Sequence, residues 1–276
     1  PGYVERVVEC PAFEGDATEN ASIIDYAVSL DGADWDTVLS WEIVSGAMNQ
    51  ENSIFMQELR EAGIGNQAEM GMNLFTEKPY LLFRLYQAEE EQAKPFQEAV
   101  ERALSRMAEE GLEEELLASV LKQEEIANYQ IRDLANAGVN LFPNIVNGWT
   151  HTGETDYYGQ YEAVLSALLA DSEQAIVKEL AASVLDPQRS ALVTTVPTPG
   201  LAEELIAQRD QYLTEMKASM SEEEIAELIA QTEEFDAWNA EGRTNSDFVI
   251  NPAGVEDPEF YDSFAQSKED GMTFYA

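Results

Sequence analysis

Between Ser22 and Leu30 apolar and polar positions alternate, with Ile24, Tyr26 and Val28 on one side and Asp25 on the other. This period of two marks a half-buried strand. The same alternation returns in Pro79–Gln87, where Leu81, Phe83 and Leu85 share a face and Arg84 points away, and again in Arg189–Val196. The stretch Gly2–Glu9 is rich in β-branched residues and reads as a further strand, and Asn66–Phe75 as one more. The turn Thr76-Glu77-Lys78-Pro79 joins the last of these to the Pro79–Gln87 strand, so the two form an antiparallel hairpin.

Elsewhere the apolar spacing is helical. Asp34 is a fitting N-cap for a helix carrying Val38, Leu39 and Ile43. A second helix starts near Ser53, carries Phe55, Met56 and Leu59, and stops at Gly63. Phe96, Val100, Leu104 and Met107 define another, closed by Gly111, and Leu117 to Leu134 a long one after it. Pro143 predicts a broken helix within Asn136–Trp149, followed by a turn-rich loop over Trp149–Asp156. Helices over Tyr157–Ala170 and Ser172–Val184 follow, and Asp186-Pro187 ends the second. Beyond Pro199-Gly200 the spacing of Leu201, Leu205, Tyr212, Leu213 and Met216 predicts a long helix. The capping box Ser221–Glu224 opens another that carries Ile225, Leu228, Ile229, Phe235 and Trp238. Strands and helices in separate clusters predict an α+β fold, an antiparallel sheet with helices packed on one face, followed by a long helical hairpin. The expected organisation is an α+β domain over 1–197, the hairpin over 198–242 and an extended tail over 243–276.

Charge narrows the partners. The 276 residues include 54 Asp and Glu against 15 Lys and Arg, a formal net charge of -39. Such a surface repels nucleic-acid phosphates, keeps the protein in solution and attracts basic peptides. Cys10 is the only cysteine, so no internal disulfide can form, and no apolar run approaches the roughly 20 residues that a membrane helix needs. With no signal-peptide pattern, these features point to the cytoplasm and away from membranes. The chain begins at Pro1 without an initiator methionine, which suggests a piece of a longer protein.

Little chemistry is available. A catalytic zinc takes three protein ligands, and this chain offers one histidine, His151, and one thiol. His151, Glu154 and Asp156 match no known ligand spacing, and a histidine in a loop bonded to backbone is the plainer reading. Any Ser-His-Asp or Cys-His site would also have to use His151, and no G-x-S-x-G or phosphate-binding glycine loop occurs. Asp31–Asp36 imitates a calcium loop but lacks its sixth-position glycine, so helix capping accounts for it better. The runs Glu89–Glu91, Glu113–Glu115 and Glu222–Glu224 open helices, where they complement the dipole. Trp35, Trp41, Trp149 and Trp238 read as core or interface anchors.

Several stretches, in this order, resemble the M16 (insulinase and pitrilysin) family of zinc peptidases. SIFMQELREAGIG at Ser53–Gly65 is similar to that family's helix ending in a glycine turn before a strand. The strand Tyr80–Tyr86 with the Phe96–Met107 helix and Gly111 turn resembles its next unit. NGWTHTGETDYYGQYEAVL at Asn147–Leu165 resembles a Trp–His–Gly loop of the presequence-protease branch, and Leu201–Trp238 resembles the linker between that enzyme's halves. The family's His-x-x-Glu-His motif is absent, so the resemblance implies the non-catalytic second domain plus linker of a zinc metalloendopeptidase. It implies an inactive fragment with no cofactor of its own, zinc residing in the parent's catalytic domain. Its partners would be the parent's remaining domains and unfolded peptides. It further implies a chamber wall in which a strand at Ala68, Glu69, Met70 and Gly71 accepts a peptide by β-augmentation. An ordinary strand with a bulge glycine is the alternative for that stretch. A stand-alone assembly module of an M16-like complex, or an unrelated enzyme with an acidic site, are the other functional readings.

Overall fold

The computed structural model describes residues 2–13, 15–16, 18–65, 67–131 and 137–240, together with the backbone of 266–269 and 272–275. Residues 1–207 form one compact unit and residues 208–276 another. Leu134 of the expected long helix, and most of the expected extended tail, lie outside the described residues.

The first unit is built on five strands: β1 (Val4–Ala12), β2 (Ser22–Ser29), β3 (Ala68–Asn73), β4 (Tyr80–Ala88) and β5 (Ser190–Pro199), in the spatial order β1-β5-β2-β4-β3. β3 and β4 are the expected antiparallel hairpin, with Met70 opposite Phe83. The expected all-antiparallel sheet needs one correction. β1 runs parallel to β5, Val4 opposite Ala191, and β5 separates it from β2. β1 is an edge strand exposed along most of its length, so its residues carry no alternation that would reveal its partner. Beyond Thr195, β1 is the one strand beside β5 among the described residues, which is where Pro197 and Pro199 are tolerated. The sheet's register shift falls in β2 between Ser22 and Ile24, not at Gly71.

Helices cover one face of the sheet. They are α1 (Trp35–Met48), α2 (Ile54–Glu61), α3 (Ala93–Glu110), α4 (Glu114–Gln130), α5 (Ala137–Thr152), α6 (Tyr157–Ala170) and α7 (Ala175–Ser183). α1 is buried nearly all round, through Val38, Leu39, Trp41, Ile43, Val44, Ala47 and Met48. A helix held between the sheet and further helices requires this, and α1 packs on β3 below and on α4 and α6 above. The inward side chains Ile24, Tyr26, Val28, Leu81, Phe83, Leu85 and Leu192 complete the core.

Local signals work as expected at the helix ends. Asp34 accepts the Thr37 N–H at 2.8 Å and opens α1. Ser53 accepts the Met56 N–H at 3.2 Å and opens α2. Gly63, at φ 70°, ends α2 with paired bonds from its own N–H to Arg60 and from Ile64 to Leu59. α5 departs from expectation: it runs unbroken through Pro143 and takes in Trp149–Thr152, so the predicted loop begins only at Gly153. Pro143 sits on the exposed side of the helix, and Val139, whose carbonyl the proline leaves without its helical donor, is exposed as well. Water can serve that carbonyl. Gly148 lets α5 come close to α6, because a Cβ there would lie 3.2 Å from the Tyr157 ring.

Two more helices follow β5, α8 (Leu201–Ser219) and α9 (Glu222–Ala240). Ser221 and Glu224 form the expected reciprocal capping box at the start of α9. Of the two helices only Ala202 is buried, and Tyr212, Leu213, Met216, Leu228, Ile229 and Phe235 are exposed. Backbone strands β6 (Gln266–Glu269) and β7 (Met272–Tyr275) pair antiparallel.

Candidate functional site

The face of the sheet away from the helices is half-open. Ile23, Asp25 and Ala27 of β2, Leu82 and Arg84 of β4, and Ala191, Val193 and Thr195 of β5 are each intermediate in exposure. One polar ladder crosses this mainly apolar floor. Arg84 grips Asp25 on the neighbouring strand with two bonds, Nε to Oδ1 at 2.6 Å and Nη2 to Oδ2 at 2.8 Å. The bonds from Asp25 hold the Arg84 guanidinium still more firmly protonated than usual. Glu69 lies opposite Arg84 on β3, and its Oε1 accepts the Tyr86 hydroxyl at 2.5 Å.

β3 borders this floor and, among the described residues, has no strand on its outer side. Gln67 accepts the Tyr86 N–H at 2.8 Å, which sets the phase of the ladder. Gln67, Glu69, Gly71 and Asn73 turn their backbone groups towards β4, and Ala68, Met70 and Met72 turn theirs outwards. The four residues singled out in the sequence therefore split. Ala68 and Met70 bury their side chains and present backbone to the edge, while Glu69 and Gly71 sit on the open face. A Cβ on Gly71 would meet nothing within 4 Å.

The edge at Met70 is already paired. Its N–H donates to Asn49 Oδ1 at 2.7 Å, and its carbonyl accepts from Asn49 Nδ2 at 2.7 Å. The Asn49 amide, just past the end of α1, thus imitates one residue of an added strand. Further on, His151 Nε2 donates to the Leu74 carbonyl at 2.8 Å while its ring stacks on Trp35 at 5.4 Å. Sequence reasoning missed Asn49, because its partner is 21 residues away and the only local signal was a helix end.

The described residues bring no set of ligands together that fits a zinc ion. The single imidazole is held by Leu74 and Trp35 on helix α5 rather than in a loop, Asp156 caps α6 through the Gly159 N–H, and Cys10 lies on β1. Among the described residues no group of three or more His, Cys, Asp or Glu is placed to hold a metal, and no helix is long and apolar enough to cross a membrane.

No protein-family model matches the sequence, and no curated protein matches it. Solved structures do. A chain from Bordetella pertussis Tohama I, classed as a zinc protease, matches with a TM-score of 0.52 at 13% identity, over 64% of this chain and 95% of that one. The inactive peptidase domain of a Bordetella parapertussis protein of the same class matches at 0.51 and 14%, over 65% and 94%. The chain has the fold of an M16-like peptidase domain. A protease from Helicobacter pylori matches at 0.51 and 15%, over 71% of this chain and 45% of that one. The chain spans 20% of FusC, a ferredoxin protease whose structure was solved in complex with Arabidopsis ferredoxin. At these identities the shared property is the M16-like fold.

Proposed function

We propose that this chain is a non-catalytic, peptide-contacting wall of an M16-type zinc oligopeptidase, in which another domain supplies the metal and the hydrolytic chemistry. The observation that carries the reading is the pairing of an M16-like fold with the lack, among the described residues, of any three His, Cys, Asp or Glu placed to hold a metal. The half-open sheet face bordered by β3 supports a role facing peptide. The apolar side chains exposed on α8 and α9 support a linker role. In this reading the two helices form a hairpin that packs against the parent's remaining domains, and the assembly is cytoplasmic.

A peptide would add to β3 by main-chain bonds at Ala68, Met70 and Met72, with its side chains passing Glu69 and Gly71. To do so it displaces the Asn49 amide from Met70. Substituting Asn49→Ala removes that competitor, which is worth about 1 kcal/mol. An extended basic peptide is therefore expected to bind roughly fivefold more tightly, measured by fluorescence anisotropy on the full chain. Unchanged or weaker affinity would place the peptide elsewhere than on this edge. The -39 charge adds a second expectation, that affinity for a basic peptide falls as salt is raised.

The decisive test of the reading as a whole is metal content with activity. The purified chain is expected to retain no stoichiometric zinc after dialysis against trace zinc, and to leave unfolded peptides uncut. Zinc-dependent cleavage by the chain alone would overturn it.

A further inference from the structure

On the helical side of the first unit, away from the open sheet face, α1, α4, α5 and α6 line a half-open pocket of about 180 Å³ that is rich in acceptors. Glu42 of α1 accepts the Tyr157 hydroxyl at 3.0 Å, and Glu124 of α4 accepts the Tyr161 hydroxyl at 2.7 Å. Each carboxylate keeps its other oxygen. Asn128, one helical turn beyond Glu124, is 8% exposed, and its Oδ1 has no hydrogen-bond partner. Tyr158 lines the same space and accepts from Asn144 Nδ2 at 3.4 Å. Among the described residues no Lys, Arg or His lines the pocket. The hydroxyl hydrogens of Tyr157 and Tyr161 are spent on the two carboxylates, and Tyr158, which accepts from Asn144, keeps one O–H to give, so among the described residues of the pocket the remaining acceptors outnumber the remaining donors.

A buried carbonyl without a donor is costly, and two neighbouring carboxylates without a cation add to that cost. Burial, reinforced by the charge of Glu124, pushes the Glu42 carboxyl above its usual value although Tyr157 bonds to it. A ligand with several N–H donors and a positive charge answers all of this at once. The tyrosine rings favour an organic cation over a metal ion. Tyr157 stands edge-on to Tyr158 at 5.0 Å and stacks with Tyr161 at 5.9 Å, an aromatic wall against which the alkyl stem of such a cation can pack. The space is also several times that of one water, too roomy for a bare ion held by two carboxylates.

We propose that this pocket binds a primary alkylammonium group, its –NH3+ donating to Asn128 Oδ1 and to the free oxygens of Glu42 and Glu124. The group belongs either to a small free amine or to a lysine side chain. The inference stands on the pocket alone and is independent of whether β3 takes a peptide.

The test is calorimetric titration of the full chain with n-butylamine, with Nα-acetyl-lysine methylamide, and with n-butanol and calcium chloride as controls. Saturable binding of an amine with no binding of butanol or calcium is the expected result. Equal or tighter binding of the lysine derivative assigns the occupant as a side chain, and binding of butylamine alone assigns it as a free amine. Asn128→Leu is expected to weaken amine binding at least tenfold while leaving the melting temperature unchanged or higher, since it removes the unpaired carbonyl without opening a cavity. Glu124→Gln, nearly isosteric, is expected to weaken binding about tenfold as well, and it serves should Asn128→Leu misfold. Butanol binding as well as butylamine, calcium competing with the amine, or no saturable amine binding would each overturn the proposal.

Discussion

Truncating Phe83 to alanine is expected to destabilise the first unit by about 4 kcal/mol, measured by urea unfolding of the full chain. Phe83 is fully buried at the middle of β4. Its ring meets Phe55 of α2 edge-on at 5.5 Å and lies 6.5 Å from Tyr26 of β2. Phe55 in turn meets Phe96 of α3 at 6.5 Å. Phe83 therefore ties β4 and β2 to α2 directly and to α3 through Phe55, and removing its ring leaves a cavity that rigid elements on both sides cannot close. Domains are stable by only about 5–15 kcal/mol, so this single change would consume much of the margin. Phe83→Leu keeps most of the volume and is expected to cost about 1.5 kcal/mol. A loss below about 1 kcal/mol for Phe83→Ala would mean that the helical layer does not close on β4 as described.

Glu58→Ala is expected to cost about 2 kcal/mol, and the loss should fade in acid. Glu58 is on α2 with its side chain 5% exposed, and it accepts Arg102 Nε at 2.9 Å and Arg106 Nη1 at 2.8 Å, both from α3. Burial opposes its charge, but the two guanidinium groups outweigh burial and hold its carboxyl below the ordinary 4.5. A carboxylate whose folded pKa is depressed stabilises the fold fully above its unfolded value. That contribution is lost as pH falls through the folded value. The difference between wild type and Glu58→Ala should thus be flat from neutrality down to about pH 4.5 and shrink below it. The arginine side chains are 48% and 33% exposed and can turn to water when Glu58 is gone, which keeps the cost under that of a fully buried pair. A difference that grows on acidification would contradict the assigned pairing.

These two positions also show how much was legible in advance. Phe83 sits in an alternating run and was placed on the buried face of a strand by period alone. Glu58 sits in a helix that the spacing of Phe55, Met56 and Leu59 announced, but nothing nearby in sequence says that Arg102 and Arg106 lie across from it. The same division runs through the candidate site. Ala68, Glu69, Met70 and Gly71 were recognisable as strand residues. That β3 is an edge, and that Asn49 already pairs with Met70, depended on where α1 ends relative to the sheet. The α5 helix shows a local rule giving way. Pro143 costs a helix one hydrogen bond, yet the adjoining turn is exposed to water, and Gly148 on the buried side packs against Tyr157.

What residues 1–276 determined by themselves are the properties carried by neighbours a few positions apart, namely strand faces, helix starts at Asp34, Ser53 and Ser221 and the stop at Gly63, together with the scarcity of imidazole and thiol. Such signals are short-range, because alternation, capping and turn geometry act within one or two turns of chain. The tertiary structure alone decided that β1 runs parallel to β5, that one sheet face stays open, and that Glu42, Glu124 and Asn128 share a pocket with three tyrosines. Those facts join residues tens to nearly two hundred positions apart. Their pairing is set by which surfaces are left to bury once each element has formed, and no local pattern records it.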